Sequence, residues 1–198
     1  MCGIAGFALR ENIDHKKNIL KIMNDKLSHR GPDGEGFYHD NDVSFSHKRL
    51  AIIDLNSRSD QPFLDRNNQH VVVFNGEIYN YIELRKLLID DGFEFFTASD
   101  TEVLLNSYIN WGVDLLKKIK GMFAFAIYDK KKKEIFCSRD HFGQKPFFYY
   151  WKDGNFIFSS ELTSLISNPV IKKEISIKSI MNYLHYDSFV EKKAEVSI

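Results

Sequence analysis

The second residue of this chain is a cysteine, and it opens directly into Gly3-Ile4-Ala5-Gly6-Phe7. Apolar residues interrupted by glycines read as a buried strand, with Gly6 letting another backbone approach closely. A methionine ahead of a small residue is normally trimmed, which would leave Cys2 at the mature N-terminus. A cysteine thiolate is the nucleophilic form, and with a free pKa of about 8.5 the thiol is mostly protonated at neutral pH. An α-amine of pKa about 7.7–8.0 on the same residue can take that proton, so nucleophile and base would come together. From this segment alone, Cys2 is either that nucleophile or simply the residue before a buried strand.

The 198 residues suit one domain, with room for the start of a second, and can bury a real core. Basic and acidic residues balance at 27 each, so no global field draws nucleic acid or an anionic membrane to the chain. Cys2 and Cys137 build no disulfide framework. There is no basic, then apolar leader pattern and no run near the ~18 apolar residues of a membrane span. These features predict a cytoplasmic protein of a reducing compartment.

Periodicity predicts a strand over residues 3–9 and an amphipathic helix over 16–27, where Ile19, Leu20, Met23 and Leu27 share a face. Residues 29–36, His-Arg-Gly-Pro-Asp-Gly-Glu-Gly, are turn chemistry; a phosphate-cradling loop is the alternative, but the Lys-Ser/Thr ending of a P-loop is missing. A strand is expected over 43–53 and a short apolar one over 71–74. Helices are expected over 82–90 and 101–110, the second capped by Asp100 or Ser99. Residues 122–129 and 134–139 form a hairpin around a solvated lysine tip, and 147–151 with 155–159 form another. Residues 161–166 and 177–183 read as helical. Hairpins with helices set between them predict an α+β fold of antiparallel sheets covered by helices.

The seven histidines (His15, His29, His39, His47, His70, His141 and His185) show no H-x-x-x-H spacing and no cysteine pair, so no metal site is expected. A Cys2 dyad with His29 or His47 is compatible with the sequence but less economical than the α-amine. Asn75-Gly76 reads either as a hairpin turn or as an oxyanion hole made of the Asn75 amide and the Gly76 N–H. Arg49 can clamp a carboxylate, and Asp100 or Glu77 can hold an ammonium. Together those groups suit an amino acid.

The ordered set Cys2-Gly3-Ile4-Ala5-Gly6, Arg30-Gly31-Pro32-Asp33-Gly34, Arg49-Leu50-Ala51-Ile52-Ile53-Asp54-Leu55, Gln61-Pro62-Phe63 and Asn75-Gly76-Glu77-Ile78-Tyr79-Asn80 resembles the glutaminase domain of asparagine synthetases. Asp100-Thr101-Glu102, Gly121-Met122-Phe123-Ala124-Phe125-Ala126 and Arg139-Asp140-His141-Phe142-Gly143 extend the resemblance to about Glu161. That family is the class II, N-terminal-nucleophile (Ntn) glutamine amidotransferases. The resemblance implies a four-layer αββα sandwich over residues 1–185, with 186–198 as a tail or the start of a link. It implies Cys2 as nucleophile, Asn75 and Gly76 as oxyanion donors, Arg49 for the glutamine α-carboxylate, and Asp100 and Glu77 for its α-ammonium. Leu50, Ala51, Ile52 and Ile53 would line the side-chain slot.

The implied reaction is hydrolysis of L-glutamine to glutamate and ammonia through a Cys2 thioester, without a cofactor in this chain. Ammonia would feed an ATP-pyrophosphatase-type synthetase domain, in cis or in trans, for which alone ATP and Mg are implied. Three departures stand out: Ser57-Arg58-Ser59-Asp60 where the family often has a glycine before Gln-Pro, no proline after Tyr183, and no Ser-Gly-Gly-x-Asp-Ser loop. The expected function is therefore ammonia supply for an asparagine-synthetase-type amidation. A regulatory glutamine-binding remnant, a different acceptor such as a sugar or polysaccharide precursor, and a homodimer remain open on the sequence.

Overall fold

The structure is a computed structural model that describes residues 1–10, 15–174 and 176–186. Strands β1 (Gly3–Ala8), β2 (Gly34–His39), β3 (Val43–Arg49), β8 (Phe148–Lys152) and β9 (Asn155–Ser159) make one sheet in the order β2-β3-β1-β9-β8. Strands β4 (Phe63–Leu64), β5 (His70–Ile78), β6 (Gly121–Asp129) and β7 (Glu134–Arg139) make the other, in chain order. Every pairing is antiparallel.

Alternation along the strands assigns the layers, because successive side chains leave opposite faces of a sheet. Val71 and Val73 of β5 meet Ile4, Phe45 and Phe158 of the first sheet, forming a core between the sheets. Val72 and Phe74, one residue out of phase, pack against helices α2 (Tyr81–Asp90) and α3 (Asp100–Trp111). On the far side, Ala5 and Phe7 of β1 face Ile19, Leu20 and Met23 of α1 (Lys16–Asp25) and Leu165 of the short α4 (Leu162–Leu165). The result is helix, sheet, sheet, helix, the expected αββα sandwich. β5 and β6 are apolar on both faces because both faces are covered. Gly6 sits in the inter-sheet core, where a Cβ would lie 2.6 Å from the Phe45 ring and 2.7 Å from that of Phe158. The close neighbours are aromatic rings rather than another backbone.

Two local expectations need correction, and two left open are decided. β3 ends at Arg49 rather than at residue 53, because its partners run out: β1 pairing stops at Gly3↔Lys48 and β2 pairing at Gly34↔Arg49. The end of the expected 29–36 turn is strand β2, since Gly34 and its followers pair with β3. Asn75-Gly76 is not a turn; β5 pairs with β6 through Asn75↔Ala124 and Gly76↔Phe123 as far as Ile78↔Gly121. The cap of α3 is Ser99, whose hydroxyl accepts from the Thr101 N–H at 3.1 Å. That releases the Asp100 carboxylate for another use. A last helix, α5, spans Ile177–Tyr186, and the expected tail lies outside the described residues apart from Tyr186 itself.

Candidate active site

The ends of β1, β3 and β5 and the start of α3 converge on one cleft of about 610 Å³ including its open mouth. All ten residues singled out from the sequence border it: Cys2, Arg49, Leu50, Ala51, Ile52, Ile53, Asn75, Gly76, Glu77 and Asp100. β1 runs antiparallel to β3, so Cys2, one residue before β1, lies beside the residues that follow Arg49. The Leu50 N–H donates to Cys2 Sγ at 3.3 Å, and the thiol lies 3.5 Å from the Leu50 carbonyl. Burial pushes the Cys2 thiol pKa up, partly offset by the Leu50 N–H, the N-terminal charge and Arg49. A thiol so held stays protonated at neutral pH and needs a base.

A brace not anticipated from the sequence holds the segment in place. Arg30 donates from Nε to the Cys2 carbonyl at 3.0 Å and from Nη1 to Glu161 at 2.9 Å. Next to Cys2, Ser160 Oγ accepts from the Ile4 N–H at 3.0 Å. Lys145 also borders the cleft, its buried ammonium 2.9 Å from Met1 Sδ and its pKa lowered by burial.

Asn75 is buried, and its Nδ2 donor has no hydrogen-bond partner. A buried donor left unpaired costs about 1–3 kcal/mol, and such groups call for a functional account. Gly76 follows it where β6 comes close: a Cβ there would lie 2.3 Å from the Met122 carbonyl. Only glycine fits, whatever it does for a ligand. The Asp100 carboxylate is buried and accepts from the Ile78 N–H at 3.0 Å. Burial, with the Glu77 charge adding to it, lifts its pKa to about 6. Asp100 thus lacks a cation and borders a cleft that could admit one.

The loop after β3 closes the other side. Gln61 Oε1 accepts from the Phe74 N–H at 2.6 Å, and its Nε2 donates to Thr101 Oγ1 at 3.2 Å. Asp54 accepts from the Ala98 N–H at 2.7 Å, a bond that leads the drop of its pKa to about 2. Arg49 lies beneath this loop, bonded to the carbonyls of Asn56 and Asp54 and to Asp60. Among the described residues, no group of His, Cys, Asp and Glu could hold a metal ion, and no helix is long and apolar enough to cross a membrane.

With this geometry in view, comparison with known proteins is decisive. The family model described as "Glutamine amidotransferase domain" matches residues 1–197. The chain belongs to the glutamine amidotransferase family. It is 39% identical over 177 residues to asparagine synthetase [glutamine-hydrolyzing] 3 of Bacillus subtilis, covering 88% of this chain and 29% of that protein. A putative asparagine synthetase [glutamine-hydrolyzing] 2 of Methanocaldococcus jannaschii is 42% identical over 196 residues, covering 89% and 37%. Asparagine synthetase B [glutamine-hydrolyzing] of Escherichia coli is 36% identical over 202 residues, covering 96% and 36%. The chain thus spans about a third of the length of these relatives. Among solved structures, glutamine phosphoribosylpyrophosphate amidotransferase from B. subtilis superposes with a TM-score of 0.70 at 22% identity, over 84% of this chain and 43% of that one. At that identity the likeness is one of fold, the Ntn-hydrolase sandwich. This glutamine amidotransferase domain is an enzyme of the class that hydrolyses glutamine, related to the glutaminase part of asparagine synthetases.

The amidotransferase cleft also holds His47, one of the two histidines considered as a dyad partner for Cys2. His47 is buried at the cleft wall, facing the Phe74 backbone, to which its ring makes no hydrogen bond of good geometry. Burial drives its pKa to about 3, well below the ordinary 6.5. Between those values the unfolded chain binds a proton that the native state refuses. Its stability contribution is therefore complete well above pH 6.5 and shrinks as pH falls through 6.5 towards 3. Asp100 works in the opposite sense: its raised pKa makes the native state the better proton binder between 3.8 and about 6. The His47 component is isolated by comparing the parent with His47→Leu. Urea unfolding at pH 6.5 and pH 5 should show the parent losing about 1.6 kcal/mol more than the variant, since the slope rises from half of about 1.4 kcal/mol per pH unit at pH 6.5 to nearly all of it at pH 5. Equal losses would mean that His47 titrates normally in the folded protein.

Proposed function

We propose that this domain is the ammonia-releasing half of an asparagine-synthetase-type enzyme, and that it works through the mature N-terminus. The observation that carries the mechanism is the pairing, in one cleft, of a half-buried thiol that needs a base with a buried amide donor at Asn75 that has no partner among the described residues. Removal of Met1 converts the Cys2 nitrogen from an amide into an amine. That amine takes the thiol proton as sulfur attacks the γ-carboxamide carbon of glutamine. The new oxyanion accepts from Asn75 Nδ2 and the Gly76 N–H. As the tetrahedral species collapses, the C–N bond breaks and the protonated amine returns its proton to the departing ammonia. Water then adds to the γ-glutamyl thioester, the C–S bond breaks, and glutamate leaves with the thiol restored.

Arg49 holds the α-carboxylate in this reading, and Asp100 with Glu77 holds the α-ammonium. A positive charge beside Asp100 returns its carboxyl towards the ionised form, which strengthens the pairing it makes. Leu50, Ala51, Ile52 and Ile53 flank the apolar methylenes. The ammonia acceptor is an aspartyl group activated with ATP and Mg on a synthetase domain, in the same chain or in another. The cytoplasm suits a catalytic cysteine that has to stay reduced, and both Cys2 and Cys137 are free thiols.

The test is to give residues 1–198 glutamine, aspartate and Mg-ATP and to follow glutamate, ammonia, asparagine and AMP together. Glutamate and ammonia in equal amounts, without asparagine or AMP, are expected. ATP-dependent asparagine formation by these residues alone would overturn the division of labour, and glutamine binding without glutamate release would point to a binding module.

A further inference from the structure

Arg49 ends β3 with its guanidinium mostly buried and its bonds unevenly shared. Nη1 donates to Asp60 Oδ1 at 2.6 Å and to the Asn56 carbonyl at 3.2 Å, which uses both of its protons. Nη2 donates one proton to the Asp54 carbonyl. What remains of the five N–H groups is the Nε–H and the second Nη2 proton. Nε and Nη2 form one edge of the guanidinium, the edge from which a carboxylate can accept with both oxygens. Asp60 does not border the cleft, whereas Arg49 does. The acidic side chain meets Arg49 at its Nη1 end.

We propose that Asp60 is a positioning residue for substrate binding: it anchors the Nη1 end of Arg49 so that the Nε/Nη2 edge faces the cleft, ready for the α-carboxylate of glutamine. This rests on the reading of Arg49 given above. Asp60 accepts no other side chain's hydrogen bond among the described residues, and its own carboxylate is half exposed. Its loop is held independently by Asp54 on the Ala98 N–H and by Gln61 on Phe74 and Thr101. Loss of the Asp60 side chain thus leaves the loop anchored and leaves the guanidinium held by the Asn56 and Asp54 carbonyls alone. A long side chain that must be ordered at the moment of binding reduces affinity without affecting the chemical step.

The experiment compares steady-state glutamine hydrolysis by the naturally encoded protein and by its Asp60→Ala, Asp60→Asn and Arg49→Ala variants. The alanine variant at position 60 should raise KM about five- to tenfold with kcat within about twofold of the parent. Asparagine keeps an acceptor oxygen in the same place, so Asp60→Asn should restore KM to within about twofold. An unchanged or lowered KM in Asp60→Ala overturns the proposal, the lowered value meaning that Asp60 competes with substrate for Arg49. A full KM defect in Asp60→Asn also overturns it, because charge and not orientation would then matter. Arg49→Ala separates the two levels: a large rise in its KM with no effect at Asp60 defeats only the positioning role, while an unchanged KM defeats the carboxylate assignment itself.

Discussion

Cys2→Ala should abolish glutamate release, lowering kcat by roughly 10⁴-fold or more, as loss of a covalent nucleophile does elsewhere. The fold should survive. The Cys2 side chain receives one long bond from the Leu50 N–H, while the segment is fixed through its backbone by Arg30 and by the β1–β3 ladder. Thermal unfolding should therefore shift by no more than a few degrees. A companion measurement is the intact mass of active protein, which should lack Met1: an acylated Cys2 nitrogen cannot accept a proton. Lys145 adds a second reason to examine that terminus, since its buried ammonium rests against the Met1 thioether. Undiminished turnover by the alanine variant, or full activity in protein that retains its methionine, would defeat the mechanism.

Much of the site could be read in the sequence because its parts are short local motifs, each at the end of a strand or the start of a helix. Cys2, Arg49, Asn75-Gly76 and Asp100 could be named separately, and the sandwich then brings their four segments to one cleft. What escaped notice was non-local or depended on neighbours. The Asn-Gly pair has the composition of a turn, but β6 lies alongside and keeps it in a ladder, so its glycine answers first to the Met122 carbonyl. The apolar run after Arg49 has strand composition but no strand beside it. The Arg30–Glu161 brace joins residues 131 positions apart, a pairing that spacing cannot reveal. His47 could be named as a possible dyad partner, but its complete burial shows only in the fold. Asp60 falls where the resemblance departs from its pattern, and its role depends on which end of Arg49 it meets.

Asn75 should show catalysis and stability pulling in opposite directions. In most proteins a buried asparagine is a stabilising group, and its loss destabilises the fold through broken hydrogen bonds. Here Nδ2 donates to no protein group among the described residues, so truncating it breaks no donor bond within the fold. A bond from it to substrate is strongest when the carbonyl oxygen becomes an oxyanion, and a donor fixed in advance loses no energy reorienting at that moment. Asn75→Ala should therefore lower kcat by about 10²–10³, or about 2.7–4 kcal/mol, with KM changed much less. Its melting temperature should stay level or rise, since the small cavity left behind offsets the removal of an unpaired polar atom. Asn75→Asp tests the same point with no cavity: it keeps the shape, removes the donor and sets a negative charge against the oxyanion, so its kcat should fall below that of the alanine variant. If alanine at this position destabilised the protein by several kcal/mol and raised KM alone, Asn75 would be a structural residue at the cleft wall, and the oxyanion would have to be held by other donors.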